Sequence, residues 1–294
     1  MQKMTLILGA QDPEMTEIER LGRDAGCEIL FAAVDGRRVH PGNAYQSDGL
    51  LDTRGRPASV DLCAPRIAVE CLGWWAYRCP DELTEEHTPG SRRLCGACGS
   101  SGPSVRAVLV DHHRPGDYGF GRPAAEYWRA SSLGQVCALL CVAPTPELRL
   151  VAAADHCLRA AYAGECPGVG PGDLAAWRLE SRAAFQKIPA STLATWIETA
   201  ARALRNATRI VIGDHVLRDM RGSPTPELPE AACRLGASYL AGPLPSPDGR
   251  KKYVVSGDEG AVRAWMASPD FGGSLVDVYG DPVRGFAGGY AVTK

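Results

Sequence analysis

The spacing of apolar and polar positions changes character twice along the chain. Residues 5–8 (Thr-Leu-Ile-Leu) form a short apolar run that predicts a strand, and helical spacing over 14–26 follows a turn containing Pro13. Apolar runs at 28–33, 66–71 and 105–111 predict three further strands. Runs that are apolar on both faces and separated by helical segments predict a mostly parallel sheet with flanking helices. From 123 the pattern turns helical, over 123–130, 132–142, 146–163, 171–186 and 190–206, with a glycine- and proline-rich loop at 166–172. Strand patterns return at 208–213, 237–241, 252–256 and 274–279, with helices over 228–235 and 259–267. The expected organisation is α/β throughout: a first domain over 1–170, a helical connector over 171–205 and a smaller α/β domain over 206–294.

With 294 residues, of which 45% are apolar and 22% charged, the chain can bury a sizeable core without metals or disulfides. Its 32 basic and 34 acidic residues leave a formal charge of −2, so no long-range field draws it to long DNA or to an anionic membrane. No run reaches the ~18 apolar residues of a membrane span, and the apolar stretch near Met1 is too short for a secretory signal core. A cytoplasmic protein is therefore expected, and its eleven cysteines are expected to be buried thiols or metal ligands before disulfides.

In open, mostly parallel sheets, ligands sit beyond the carboxyl ends of the strands, so polar residues there are the first candidates for chemistry. The sharpest is Val108-Leu109-Val110-Asp111-His112-His113-Arg114, in which a buried strand delivers an acid and two imidazoles together. Carboxylate and imidazole are ligands that manganese, iron or zinc accept. Asp12, Glu14 and Glu17 follow the first strand, as metal ligands or as caps of the next helix. Asp155 and His156 close an otherwise apolar helical stretch, where a buried carboxylate is costly unless it is paired or holds a cation.

These motifs, in this order, resemble the DHH phosphoesterase superfamily, which includes single-strand exonucleases, oligoribonucleases, cyclic-dinucleotide phosphodiesterases and manganese-dependent pyrophosphatases. Asp111-His112-His113 matches the name-giving motif, Glu70 (with Asp61 as a weaker candidate) an acid at an earlier strand end, Ala130-Ser131-Ser132 the stretch that follows, and Asp155 a later helical acid. The resemblance implies that Glu70, His112 and Asp155 hold a divalent ion, manganese or another, while His113 contacts a phosphate. Arg284-Gly285-Phe286-Ala287-Gly288-Gly289-Tyr290 resembles the family's glycine-rich substrate signature, implying Arg284, Gly288 and Gly289 as substrate contacts. In the first motif Ala10 stands where a metal-binding histidine is expected, Glu14 where one aspartate is and Thr16 where another is. Glu14 could still ligate on its longer arm; alanine cannot. His40, Asp12 or Glu17 could rebuild the lost position.

A cysteine-rich insert at about 71–104 carries a separate signal. Cys95-x-x-Cys98 suits tetrahedral zinc, with Cys79 and His87 completing the set and Cys71 competing as the fourth ligand. Cys137, Cys141 and Cys157 are expected to be core residues. Past the second strand, Arg37, Arg38 and His40, with Tyr45, could hold a phosphate and a base.

The function expected is metal-dependent hydrolysis of a phosphodiester or phosphoanhydride in a nucleotide or short oligonucleotide, in a cleft between two domains. The alternative is a DHH-like protein in which catalysis has lapsed and nucleotide or partner binding remains.

Overall fold

The computed structural model describes residues 3–62, 64–76, 107–246 and 249–291. It divides into two compact units, one comprising Met1–Gly119 with Ser131–Pro144, the other Phe120–Ala130 with Thr145–Lys294.

The first unit is built on a sheet of seven strands: β1 (Thr5–Leu8), β2 (Glu28–Val34), β3 (Arg37–Arg38), β4 (Gly49–Leu51), β5 (Pro57–Ala58), β6 (Arg66–Val69) and β7 (Ala107–Val110). The order is β5-β4-β2-β1-β6-β7, with β3 paired to β2. The four central strands, β2, β1, β6 and β7, run parallel, while β3, β4 and β5 add antiparallel pairs at one side. Every residue of β1 and β6 is buried, which is why their sequences read as unbroken apolar runs. Helix α1 (Pro13–Asp24) turns Met15, Ile18 and Leu21 inward. Its start is fixed by Asp12, whose side chain accepts the Met15 amide, with Pro13 at the first helical position.

Two short helices bridge the units in sequence: α2 (Tyr127–Ala130) belongs to the second and α3 (Ser132–Leu139) to the first. The remaining helices, α4 (Pro146–His156), α5 (Leu158–Tyr162), α6 (Pro171–Gln186), α7 (Ala190–Asn206), α8 (Leu228–Leu235) and α9 (Glu259–Ala267), lie in the second unit. They accompany a six-stranded mixed sheet: β8 (Arg209–Ile212), β9 (His215–Arg221), β10 (Tyr239–Pro245), β11 (Lys251–Ser256), β12 (Val276–Asp281) and β13 (Phe286–Tyr290), in the order β12-β13-β11-β10-β9-β8. One cluster packs Leu193, Ile197 and Leu204 of α7 against Leu228, Met220 and Tyr239. A second packs Val262 and Trp265 of α9 against Leu217, Leu240 and Val255.

The α/β class and the largely parallel first sheet are as the sequence predicts. Three expectations change. Helices α6 and α7 are not a separate connector, because α7 buries its apolar stripe within the second unit's core. The helix expected over 146–163 breaks at Cys157, whose backbone (φ −148, ψ 53) is not helical. The glycine-rich segment near 288 is a strand, paired on one side with β11 and on the other with β12. Among the described residues no helix is long and apolar enough to cross a membrane.

Candidate metal centre

The carboxyl ends of β1, β6 and β7 lie side by side, and the ladder continues one residue past each. Gly9 N–H donates to the Val69 carbonyl at 3.0 Å, and Glu70 N–H to that of Val110 at 2.9 Å. This registry brings Gly9, Glu70 and Asp111 to one edge of the sheet. Glu70 sits there with φ +52, a left-handed conformation that costs a non-glycine residue about 1–3 kcal/mol. Gly9 is required opposite it: a Cβ would stand 2.6 Å from the Glu70 carbonyl oxygen. The Glu70 carboxylate is nearly buried and accepts a 2.7 Å hydrogen bond from the Ser132 hydroxyl at the start of α3.

Asp111 organises the turn after β7. Its Oδ1 accepts from the amides of His112 (2.7 Å) and His113 (3.0 Å) and lies 3.0 Å from His113 Nδ1, while Oδ2 accepts from Tyr45 Oη at 2.9 Å. Burial alone would raise the Asp111 carboxyl, but the hydrogen bonds and charge of His113, with the Tyr45 hydroxyl, outweigh it and hold it below the usual carboxylate range. Burial, then the Asp111 charge, push the Tyr45 phenol far up, so it remains a donor. The Arg114 guanidinium stacks 3.7 Å above the Tyr45 ring.

An ionised Asp111 can only accept, so His113 Nδ1 carries the proton between them and Nε2 is left as the ring's acceptor. His112 is fully buried, with Nε2 3.7 Å from Glu70 Oε1, and His113 Nδ1 lies 3.8 Å from the same oxygen. The two imidazole centroids are 4.2 Å apart. Glu70, His112 and His113 thus offer ligand atoms within 4.8 Å of one another. Within the first unit these three are the described side chains with the chemistry to hold a metal ion together. Asp155 belongs to the second unit, near the end of α4. One carboxylate and two imidazoles are donors that a divalent transition ion accepts.

Other predicted residues serve different purposes. Glu14, expected as a ligand, is buried in α1 and accepts the Leu133 amide at 2.9 Å, so it caps α3 instead. Thr16 donates its hydroxyl to the Asp12 carbonyl, Ala10 is buried, and the Glu17 carboxylate bonds Arg20. Asp61 is exposed and lies away from the end of β6, which leaves Glu70 as the acid at that strand end. Arg38 is half-buried, donates to the Gly9 carbonyl at 3.0 Å and lies over the Phe31 ring, so its guanidinium is committed to the fold. Arg37 is exposed on β3, and His40 is exposed in a turn where Nδ1 accepts the Gly42 amide.

Arg284, expected as a substrate contact, also serves the fold. It donates to the carbonyls of Asp155 and His156, closing the end of the helix that carries Asp155. Gly288 and Gly289 lie inside β13 among buried residues, where a Cβ would meet Tyr279 Oη at 2.7 Å and the Leu275 side chain at 3.0 Å. Their pairing with β11 and β12 commits the strand to the sheet, not to a phosphate loop. Cys79, His87, Cys95 and Cys98 lie outside the described residues. Cys71 is buried beside Trp75 and Leu30 with Sγ 3.7 Å from the Ile7 carbonyl, and burial raises its thiol pKa steeply. Cys137 and Cys157 are buried as expected, but Cys141 is exposed beyond the end of α3.

Sequence reasoning did not single out Gly9 and Gln135, whose Nε2 donates to the Asp111 carbonyl at 3.2 Å, as part of this site. Ser132 stood only as part of a family stretch, and Tyr45 only in a phosphate-binding patch. No protein-family model and no curated protein matches the chain.

Proposed function

We propose that this chain is a divalent-metal-dependent phosphoesterase of the DHH type, acting on a phosphodiester or phosphoanhydride in a nucleotide or short oligonucleotide. The observation that carries the proposal is the convergence of Glu70, His112 and His113 at adjacent parallel strand ends, after a motif that reads Asp-His-His. Glu70 and His112 hold the ion, and the family resemblance implies Asp155 as a further ligand. When bound, the ion supplies Lewis acidity at a phosphoryl oxygen and lowers the pKa of water.

The chain's own residues supply orientation and proton placement. Asp111 fixes the His113 ring through Nδ1, so a proton taken up at Nε2 can be directed at a phosphoryl oxygen as charge develops there. Tyr45 and the two histidine amides hold Asp111 in place. Ser132 keeps the Glu70 carboxylate in one rotamer. Among the described residues there is a single group of metal-ligand type, so the proposal is for one ion at this site.

The engagement of Glu14 at the start of α3, the bond of the Thr16 hydroxyl to the Asp12 carbonyl and the burial of Ala10 favour a second reading, in which binding persists and hydrolysis has lapsed. Hydrolysis of a dinucleotide and of pyrophosphate, with and without added manganese, separates the two. Manganese-dependent turnover that falls at least about 100-fold in His113→Ala, with metal content retained, supports the enzyme. Metal binding without turnover of either compound supports the lapsed form.

A further inference from the structure

The break between α4 and α5 brings two cysteines together. Cys157 and Cys166 are both buried, at 4% and 2% exposure, and their sulfurs are 3.0 Å apart. A disulfide needs a separation near 2.05 Å, so bond formation asks for about 1 Å of approach. Separate hydrogen bonds hold the two ends. Cys157 donates its amide to the Ala153 carbonyl at 3.1 Å and accepts the Ala161 amide at 2.9 Å. On the other side, the buried Tyr127 donates its hydroxyl at 3.1 Å to the carbonyl of Pro167, the residue after Cys166. All six residues belong to the second unit.

We propose that Cys157 and Cys166 are a redox-active pair, oxidised by a hydroperoxide to a reversible disulfide that staples the α4–α5 junction. One sulfur attacks the peroxide, takes up an OH group as a sulfenic acid and releases a molecule of water. The partner thiol then attacks that sulfur, the S–S bond forms and a second water leaves. Two thiols are oxidised and one hydrogen peroxide is reduced to two waters. The bridge closes a short loop directly after Asp155 and His156, and constraining that loop in the unfolded chain raises stability.

Peptide mapping tests the proposal on the full chain, because trypsin cuts after Arg149, Arg159 and Arg178 and so places Cys157 and Cys166 in separate peptides, 150–159 and 160–178. After hydrogen peroxide treatment, denaturation and alkylation, the expected major product is these two peptides joined, released by dithiothreitol and absent from Cys157→Ser and Cys166→Ser. The oxidised protein should also unfold at a higher temperature than the reduced one. Recovery of both peptides alkylated, or as higher sulfur oxides without a cross-link, overturns the proposal. So does a cross-link of either cysteine to a different thiol.

Discussion

The Glu14 carboxylate reaches from the first turn of α1 to the amide of Leu133, 2.9 Å away at the start of α3. A residue whose place in the sequence suggests a metal ligand therefore closes the N-terminus of a helix. The buried carboxylate satisfies a backbone donor that the helix itself leaves open, and it lies at the positive end of the helix dipole.

Removing that acceptor should cost stability and leave metal binding intact. A hydrogen bond to a charged group is worth about 1.5–3 kcal/mol, so Glu14→Ala should lower the unfolding free energy by about 2 kcal/mol. Glu14→Gln, which keeps an acceptor, should lose less. Denaturant titration gives the first quantity and elemental analysis the second; loss of metal in Glu14→Gln would return Glu14 to the ligand set.

Ser132 acts on the ion through Glu70. Its hydroxyl holds the carboxylate at 2.7 Å, and partners of metal ligands typically contribute tenfold or more to affinity. Ser132→Ala should weaken manganese binding by about tenfold and Ser132→Thr by less. Isothermal titration calorimetry with manganese reads this directly, and equal affinities in wild type and alanine variant would detach Ser132 from the site.

In the second unit, Glu230 is 2% exposed and joins Arg178 at 2.6 Å, Arg234 at 3.0 Å and the Tyr162 hydroxyl. Burial raises its carboxyl, but the Arg178 charge, the Tyr162 hydrogen bond and Arg234 prevail, so the folded value lies below the ordinary one. A depressed carboxyl contributes stability that is fully present above its unfolded pKa of about 4.3 and is lost as the pH falls through the folded value. Glu230→Ala should cost about 1.5–3 kcal/mol at neutral pH, because it removes charge-assisted hydrogen bonds from the half-buried Arg178 and from Tyr162. The difference between wild type and Glu230→Gln should shrink as the pH drops below that ordinary value. Urea midpoints measured between neutrality and acid check this; a difference that grows towards acid would reverse the assignment.

Much of the first sheet is legible because β1 and β6 are fully buried and β2 largely so, and burial on both faces writes an apolar run; β7 reads the same way although its Val108 and Leu109 are exposed. The second sheet is less so. β9 (His215–Arg221) carries Arg218 and Asp219 between the buried Leu217 and Met220, which blurs a period of two. β13 holds two glycines that read as a loop, and the nearby Tyr279, Leu275 and Val278 side chains explain them. Cys157 breaks a helix with neither proline nor glycine to mark it.

At the site, Asp111, His112 and His113 are legible because they follow an apolar strand directly. Glu70 is legible for the same reason. The roles of Glu14 and Arg284 are not, since a buried carboxylate can hold an ion or a helix end, and a guanidinium can hold a phosphate or carbonyls. Which it does depends on residues more than a hundred positions away.

The central claim is that Glu70 and His112 hold a divalent ion. The most direct test is the manganese stoichiometry of the full chain by electron paramagnetic resonance, compared with His112→Ala and, to separate the cysteine-rich insert, with Cys95→Ala. One manganese per chain is expected in wild type and in Cys95→Ala, and none bound at comparable concentration in His112→Ala. Manganese retained by His112→Ala at wild-type stoichiometry, or absent from all three proteins, would contradict it.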